Sequence, residues 1–446
     1  MRTRSSFFAV IAVVLMGIAL LGIAHPWLAR AAEAQPAANN TVSVVVQFSD
    51  TDRLIRKVEF SSATISGLDA LLNSGLDVVT KDMRGLGIAV CSIEGVGCPA
   101  NDCFAFPKYW SYEYWDGSQW QGHNSGAATT DRSNGDIDGW RWGVQGGTPI
   151  VPYPQLERAW NALQWLKSQQ NSDGGYGTPI SAASSSVESA LAFGANHEKA
   201  EDLKQGLSAP SLKDYLIANA GSNITNASTA GKTAVGTAKS GIPFQSGWNK
   251  PSHYYSQGIY QQGAGFQSWA ILGALALGEQ VPEQAIQYLM SLSSSDGGWE
   301  WSPGWGKDTN ATAMAIQALI AAGKHPLTPE IQAGLTYLRS TQKDDGGFPY
   351  AENFGSDANS TAYVLQAIYA AGQDPRSALW TKNGKTAFDF LATVQLADGS
   401  FKWQSSETSG NLLATQQVIP ALLGVPSALL TPEYIIYRNF LPLIYK

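Results

Sequence analysis

Charge is scarce in this 446-residue chain: Asp, Glu, Lys and Arg make up 15% of it, against about 25% in an average soluble protein. The 29 Lys and Arg residues form no cluster and the formal net charge is −7. No basic stripe of the kind a phosphate backbone requires exists, so nucleic acid is excluded as a partner. Cysteine is scarcer still. Cys91, Cys98 and Cys103 all fall in VCSIEGVGCPANDC, and none follows. His123 is the one imidazole near them, and the spacing fits no common zinc module. Long apolar runs are missing after the first, Phe7 to Ala24, so the body of the chain reads as soluble.

What is present points outward from the cell. Gly, Ser, Asn and Trp are plentiful. Arg2 and Arg4 precede the apolar run and small-residue triplets follow it, which is a signal-peptide layout. At about 18 residues the run also approaches the length that spans a bilayer. Residues 1–34 are therefore expected to be a signal peptide or an N-terminal anchor, the only membrane contact. The rest is expected to be secreted or held at the extracellular face of the envelope. In that oxidising setting one disulfide is expected, with one thiol left over; Cys91 with Cys103 and Cys98 with Cys103 are both open pairings.

Two regions differ in period. Residues 41–147 alternate as strands do: TVSVVVQF, GLGIAVCSIEGVG and KYWSYEYWDGSQW, with one amphipathic helix in SGLDALLNSGLDVV. This reads as a small α+β domain, β-grasp-like. GGTPIVPYP has the composition of a linker. From Pro154 to Val425 the period is helical. WNALQWLKSQQNSDGGYG, IQYLMSLSSSDGGWEW, LTYLRSTQKDDGGFPY and FDFLATVQLADGSFKW align as an amphipathic helix, a turn with Asp-Gly-Gly or Asp-Gly-Ser, and an aromatic residue. Helices apolar nearly all round follow, as in NATAMAIQALIAAG and NSTAYVLQAIYAAG. Such helices are buried on both sides while their partners face water. Repeats of this kind stack, and the inner apolarity favours a closed ring of five to six helical hairpins. Residues 426–446 form an apolar tail able to dock on the ring or attach to the envelope.

The recurring acid looks like a scaffold part. Asp173, Asp296, Asp345 and Asp398 each precede Gly in a helix-ending turn, where Gly takes the left-handed backbone without strain. A catalytic acid is needed once, and this one recurs.

These turns resemble the repeats of the squalene cyclase and protein prenyltransferase superfamily, which implies an α/α toroid. The zinc site of the prenyltransferases cannot be assembled from a region without cysteine. The cyclases' D-x-D-D motif has only DTNA at Asp308 and DANS at Asp357 as counterparts, with Asn in place of a central acid. KDTNATAMAIQALIAAG, GLGIAVCSIEGVG, KYWSYEYW and NGDIDGWRWG resemble instead the intrinsic factor and transcobalamin family, here with the β-domain ahead of the toroid. That resemblance implies a non-catalytic carrier needing no cofactor, with cobalamin or a related corrinoid as a small-molecule ligand held between β-domain and toroid mouth. Related bacterial β-domains also imply Cys91–Cys103 as the disulfide.

The ligand residues expected on this reading are polar groups just before inner helices, Asp308, Asn310, Asp357, Asn359 and Asn411, whose plain alternative role is N-capping. Aromatic walls would come from Trp301, Trp305, Tyr350, Trp403 and Trp140. The segment GWNKPSHYYSQGIYQQGAG would be a lid, bringing Tyr254 and His253, the latter able to ligate cobalt. No catalytic residue and no structural metal are expected. Two other functions are compatible with the sequence. One is a surface module binding glycans, proteins or other envelope components through Trp115, Trp120, Trp140 and Trp142. The other is a terpenoid cyclase-like enzyme.

Overall fold

The computed structural model describes residues 39–85, 87–103 and 107–427; the expected signal segment and nearly all of the tail lie outside them. The first region is built on two long strands, β1 (Asn40–Ser49) and β2 (Asp52–Phe60). Short strand β3 (Ile65–Ser66) leads into helix α1 (Gly67–Leu72). Strands β4 (Val78–Asp82), β5 (Ile88–Ile93) and β6 (Val96–Gly97) form a small sheet of their own. Next come β7 (Tyr109–Trp115), β8 (Trp120–Gly122), β9 (Asp131–Arg132) and β10 (Ile137–Gly143). The main sheet has the order β2-β1-β10-β7-β8, with β1 and β10 parallel at its centre and Val45 opposite both Ile55 and Gly139. Cys91 and Cys103 are joined, and Cys98 lies buried outside that bond.

β1 is buried along nearly its whole length because both faces of the sheet are covered. Val42, Val44 and Val46 pack with Leu68 and Leu71 of α1, whereas Val45 and Ile55 pack with Ile150, Tyr153 and Leu156 of the helical region. A strand buried on both faces reads as a continuous apolar run, which is the physical reason for the VVV in its sequence.

Eleven helices make up the second region. Outer helices α2 (Tyr153–Ser168) and α4 (Leu212–Asn223) alternate with inner helices α3 (Ala183–Gly194) and α5 (Ala227–Lys239). Inner α6 (Ala264–Ala276) follows α5 with only a one-turn 3-10 helix, Pro251–Tyr254, between them. Then come α7 (Glu283–Ser291), α8 (Thr309–Ala321), α9 (Pro329–Thr341), α10 (Ala358–Ala370), α11 (Ala387–Val394) and α12 (Leu412–Leu423). Inner helices α3, α5, α6, α8, α10 and α12 each touch the next, and α12 packs back on α3. The ring is closed: this is an α/α toroid preceded by a β-rich domain. Among the described residues no helix is long and apolar enough to cross a membrane.

The repeated turns join the scaffold. Asp173 and Asp345 each accept the N–H two residues on, at 3.0 and 2.9 Å. Gly346 has φ 87°, and a Cβ there would lie 2.2 Å from the carbonyl oxygen of Thr386 at the start of α11. Tyr176, Trp299, Phe348 and Phe401 are fully buried. The backbone N–H of each donates to a hydroxyl on the following inner helix, Ser186, Thr312, Thr361 or Thr415, at 2.9 to 3.0 Å.

All inner helices point the same way, so the ring has an N-terminal mouth and a C-terminal floor. The floor is where the β-domain sits, in one compact unit with the ring. Asn196, just past α3, pairs through its side chain with both the N–H and the C=O of Ile55, at 2.9 and 3.3 Å. That covers an edge strand which would otherwise offer free backbone groups. Arg53, 1% exposed, donates to the carbonyl of Leu423 at 2.6 Å and lies over the Tyr369 ring. The glycine- and proline-containing linker is docked as well, with Ile150 buried and Trp120 donating to Val151 at 2.9 Å. Beyond α12, Ser427 seals the floor by bonding to Gln317 and Gln366.

Candidate functional site

At the mouth a cavity of about 370 Å³ opens between the first turns of the inner helices, within the range that holds small-molecule ligands. Ser184, Val187 and Glu188 face it from α3, Lys232 from α5, Phe266 and Trp269 from α6, Tyr363 from α10, and Leu413 and Gln417 from α12. Spacings of three and four residues put these side chains on one face of each helix. Small residues bring the walls together. Gly231 and Gly273 meet backbone to backbone between α5 and α6, where a Cβ on Gly273 would lie 2.1 Å from the Gly231 Cα. Gly265 leaves room for the Trp301 ring, which a Cβ there would approach to 2.3 Å, and Trp301 stands edge-on to Phe266.

On one side of the cavity charged and amide groups form a connected cluster. Lys232 forms an ion pair with Glu188, and its ammonium lies 5.1 Å from the centre of the Trp269 ring. Gln417 donates to Glu188 at 2.9 Å and to the Tyr363 hydroxyl at 3.3 Å, while Asn359 donates to Gln417 at 2.7 Å. Burial, reinforced by the nearby Glu188 charge, holds the Tyr363 phenol protonated, its pKa well above the ordinary value.

The residues expected from sequence divide differently. Asp308, Asp357 and Asn411 are the N-caps of α8, α10 and α12, accepting from Ala311, Ser360 and Ala414 at 2.7, 2.7 and 3.0 Å. Burial pushes the Asp308 carboxyl up to about 6 despite bonds from Ala311 and Trp301, and raises Asp357 in the same direction. Asn310 is half-buried and accepts from its neighbour Thr309. Burial, reinforced by the nearby Asp308 charge, pushes the Tyr350 phenol up to about 12. Trp301 and Asn359 are the two of this set that the structure brings to the cavity and its cluster. Trp305, Trp403 and Leu413 are exposed on the rim, with Phe354 and Ile180.

Three expectations need correction. The segment from Gly247 is no lid: it stands in the outer layer between α5 and α6, where a further outer helix would be. Its Ser252 bonds to Glu279 beyond the C-terminal end of α6 at 2.7 Å, so His253 lies toward the floor, exposed and paired with Asn249, while Tyr254 reaches the carbonyl of Ile224. Trp140 is 3% exposed in the β-domain core, stacked on Tyr112. Trp115, Trp120 and Trp142 are half-buried against neighbours, so these four tryptophans form no flat exposed platform.

Sequence reasoning missed Glu188, Lys232, Gln417, Tyr363, Trp269 and Phe266. Glu188 and Lys232 did carry a signal. Each stands as the lone charge within an otherwise small or apolar inner-helix stretch, SSSVESALAFG and ASTAGKTAVG.

The prenyltransferase alpha-alpha toroid domain family matches residues 265–423. No curated protein matches the chain. Among solved structures, the chain is similar to a variant of the type II terpene cyclase MstE from Scytonema in complex with geranylgeranyl dihydroxybenzoate. Identity is 15%, with 61% of this chain and 99% of that one covered, and the TM-score is 0.41. A protein from Actinoplanes is 15% identical over 60% and 99%, with a TM-score of 0.43. A glycosidase in complex with glucose is 14% identical over 62% and 100%, with a TM-score of 0.41. The corrinoid carrier expected from the sequence, with its ligand held between β-domain and toroid mouth, is corrected by the fold: the β-domain closes the floor of the ring and does not face the mouth where that ligand was placed.

Proposed function

We propose that the chain is an enzyme of the terpenoid cyclase-like kind in a coarse sense: a toroid that takes an apolar or aromatic-faced small molecule into the ring mouth and moves a proton with a carboxylate. The observation that carries this reading is Glu188. It is the one carboxylate among the residues lining the cavity, it is 6% exposed, and it caps no helix. Its carboxylate is ion-paired with Lys232, so its role is that of a proton acceptor, and the rings of Trp269 and Trp301 give the cavity an apolar wall for the ligand. Export to an oxidising compartment belongs to the same proposal, and the Cys91–Cys103 bond supports it.

The test is incubation of the purified protein with a panel of polyprenyl alcohols and polyprenylated phenols, with products followed by mass spectrometry. Turnover that disappears in Glu188→Gln and persists in Asp308→Asn is expected. Absence of any product across the panel, or full activity in Glu188→Gln, overturns the reading.

A further inference from the structure

The hydrogen-bond polarity of the mouth cluster can be worked out atom by atom. An ionised carboxylate only accepts, so the Glu188 ion pair with Lys232 forces the amide nitrogen of Gln417 toward it. The Gln417 oxygen must then face Asn359, whose amide donates to it. Amide orientations of this kind follow from the network around them, and here each step leaves one choice. The two hydrogens on the Gln417 nitrogen go to Glu188 Oε1 and to the Tyr363 hydroxyl oxygen.

Beside the spare N–H groups of Lys232 and the unpartnered Thr233 hydroxyl, two groups of the Gln417 cluster are left over. Lys232 and Gln417 both reach Glu188 through Oε1, and Oε2 accepts from none of the described residues. Tyr363 accepts from Gln417 but donates to none of the described residues, and burial keeps its proton in place. One acceptor and one donor therefore flank the same Gln417 nitrogen in a cavity that Phe266, Trp269 and Trp301 wall together with the polar Ser184, Asn223, Ser228, Thr229 and Thr233. A ligand that pairs with both groups gains two hydrogen bonds, one of them to a charged acceptor, so it is preferred over one that satisfies either alone.

We infer that the cavity selects a hydroxyl group on an otherwise apolar-faced molecule, the hydroxyl donating to Glu188 Oε2 and accepting from Tyr363. Asn359 acts as a positioning residue, because it fixes the direction of the Gln417 amide. This inference rests on the proposed site at the ring mouth. A polyprenyl-type alcohol and a sugar, whose C–H face stacks on Trp, share the chemistry required.

Quenching of tryptophan fluorescence separates the possibilities, with geranylgeraniol, its methyl ether and methyl β-D-glucoside titrated into the whole protein. The ether can still accept from Tyr363 but has nothing to donate to Glu188. The alcohol is expected to bind about tenfold or more tightly than the ether. Glu188→Ala is expected to abolish that preference, and Tyr363→Phe to weaken alcohol and ether alike. Asn359→Ala is expected to weaken alcohol and ether alike, because a Gln417 amide free to turn takes up the Tyr363 proton. Saturable binding of the glucoside in place of the alcohol supports the hydroxyl inference and assigns its source to a sugar. Equal affinity for alcohol and ether overturns the inference and leaves the proposed site standing. Failure of all three probes to bind overturns both.

Discussion

The two ends of the ring use polar side chains differently. At the floor Arg53, Asn196, Gln317 and Gln366 are each committed to a backbone group of another segment. At the mouth Asp308, Asp357 and Asn411 are committed in the same way, to the first N–H groups of their own helices. Glu188, Lys232 and Tyr363 are not: they bond to one another and to Gln417, and leave an acceptor and a donor facing a cavity. A functional side chain in such a repeat scaffold is recognised by what remains after the structural tasks are assigned, more than by its residue type.

The comparison predicts that floor variants lose stability and mouth variants lose function. Arg53→Ala is expected to show the largest loss of stability, on the order of 4 kcal/mol, because it empties a buried volume and strands the carbonyl of Leu423. Thermal and denaturant unfolding measure it; a loss below about 1 kcal/mol would break the contrast. Replacing Cys91 and Cys103 together by Ser is expected to cost about 3 kcal/mol through the freed loop of the unfolded chain, again by denaturant titration.

Asp308 sharpens the comparison through pH. Its folded-state pKa, about 6, lies above the ordinary value of 3.8. The native state therefore holds its proton more tightly than the unfolded state. The stability it contributes is complete below about pH 4 and is lost as pH rises through 6, by roughly 2 to 3 kcal/mol. Asp308→Asn keeps an N-cap and is expected to flatten that part of the stability profile; an unchanged slope between pH 4 and 6 would contradict the assignment. Asn411→Ala, the loss of one N-cap, is expected to cost about 1 kcal/mol with little effect on ligand affinity. Glu188→Gln is expected to shift stability least, while removing turnover.

Much of the fold was legible in the sequence because repetition exposes it. Four copies of an aromatic residue after an Asp-Gly turn, each followed by an apolar helix, imply a stacked ring, and the ring is closed. The repeat partner of each aromatic, the hydroxyl at Ser186, Thr312, Thr361 or Thr415, was equally regular and went unread because Ser and Thr are common near helix starts. The site was far less legible. Residues just before the inner helices attracted attention as polar groups at a mouth, yet an Asp or Asn there is consumed by capping. α5 was hidden by its composition: ASTAGKTAVGTAK carries two glycines and three threonines, weak helix formers, of which Gly231 serves the close approach to α6 and Gly236 that to α3. Its Lys232 was hidden with it. The direction of docking was not legible either, since the alternating faces of β1 reveal that both sides are covered but not by which end of the ring.

The central claim, that chemistry belongs to the mouth, is tested most directly by photolabelling. A polyprenyl alcohol carrying a photoactivatable group would be irradiated with the protein and the adducts mapped by peptide mass spectrometry. Two other clefts, of about 430 and 410 Å³, run along the seam between β-domain and floor and share Glu94, His197, Glu198 and Lys199, so they provide an internal control. Adducts on the peptides that carry Glu188, Phe266 and Trp269, Trp301 and Gln417 are the predicted result. Adducts concentrated on the seam peptides, around Asp52, His197 to Lys199 and Lys239, would contradict the account.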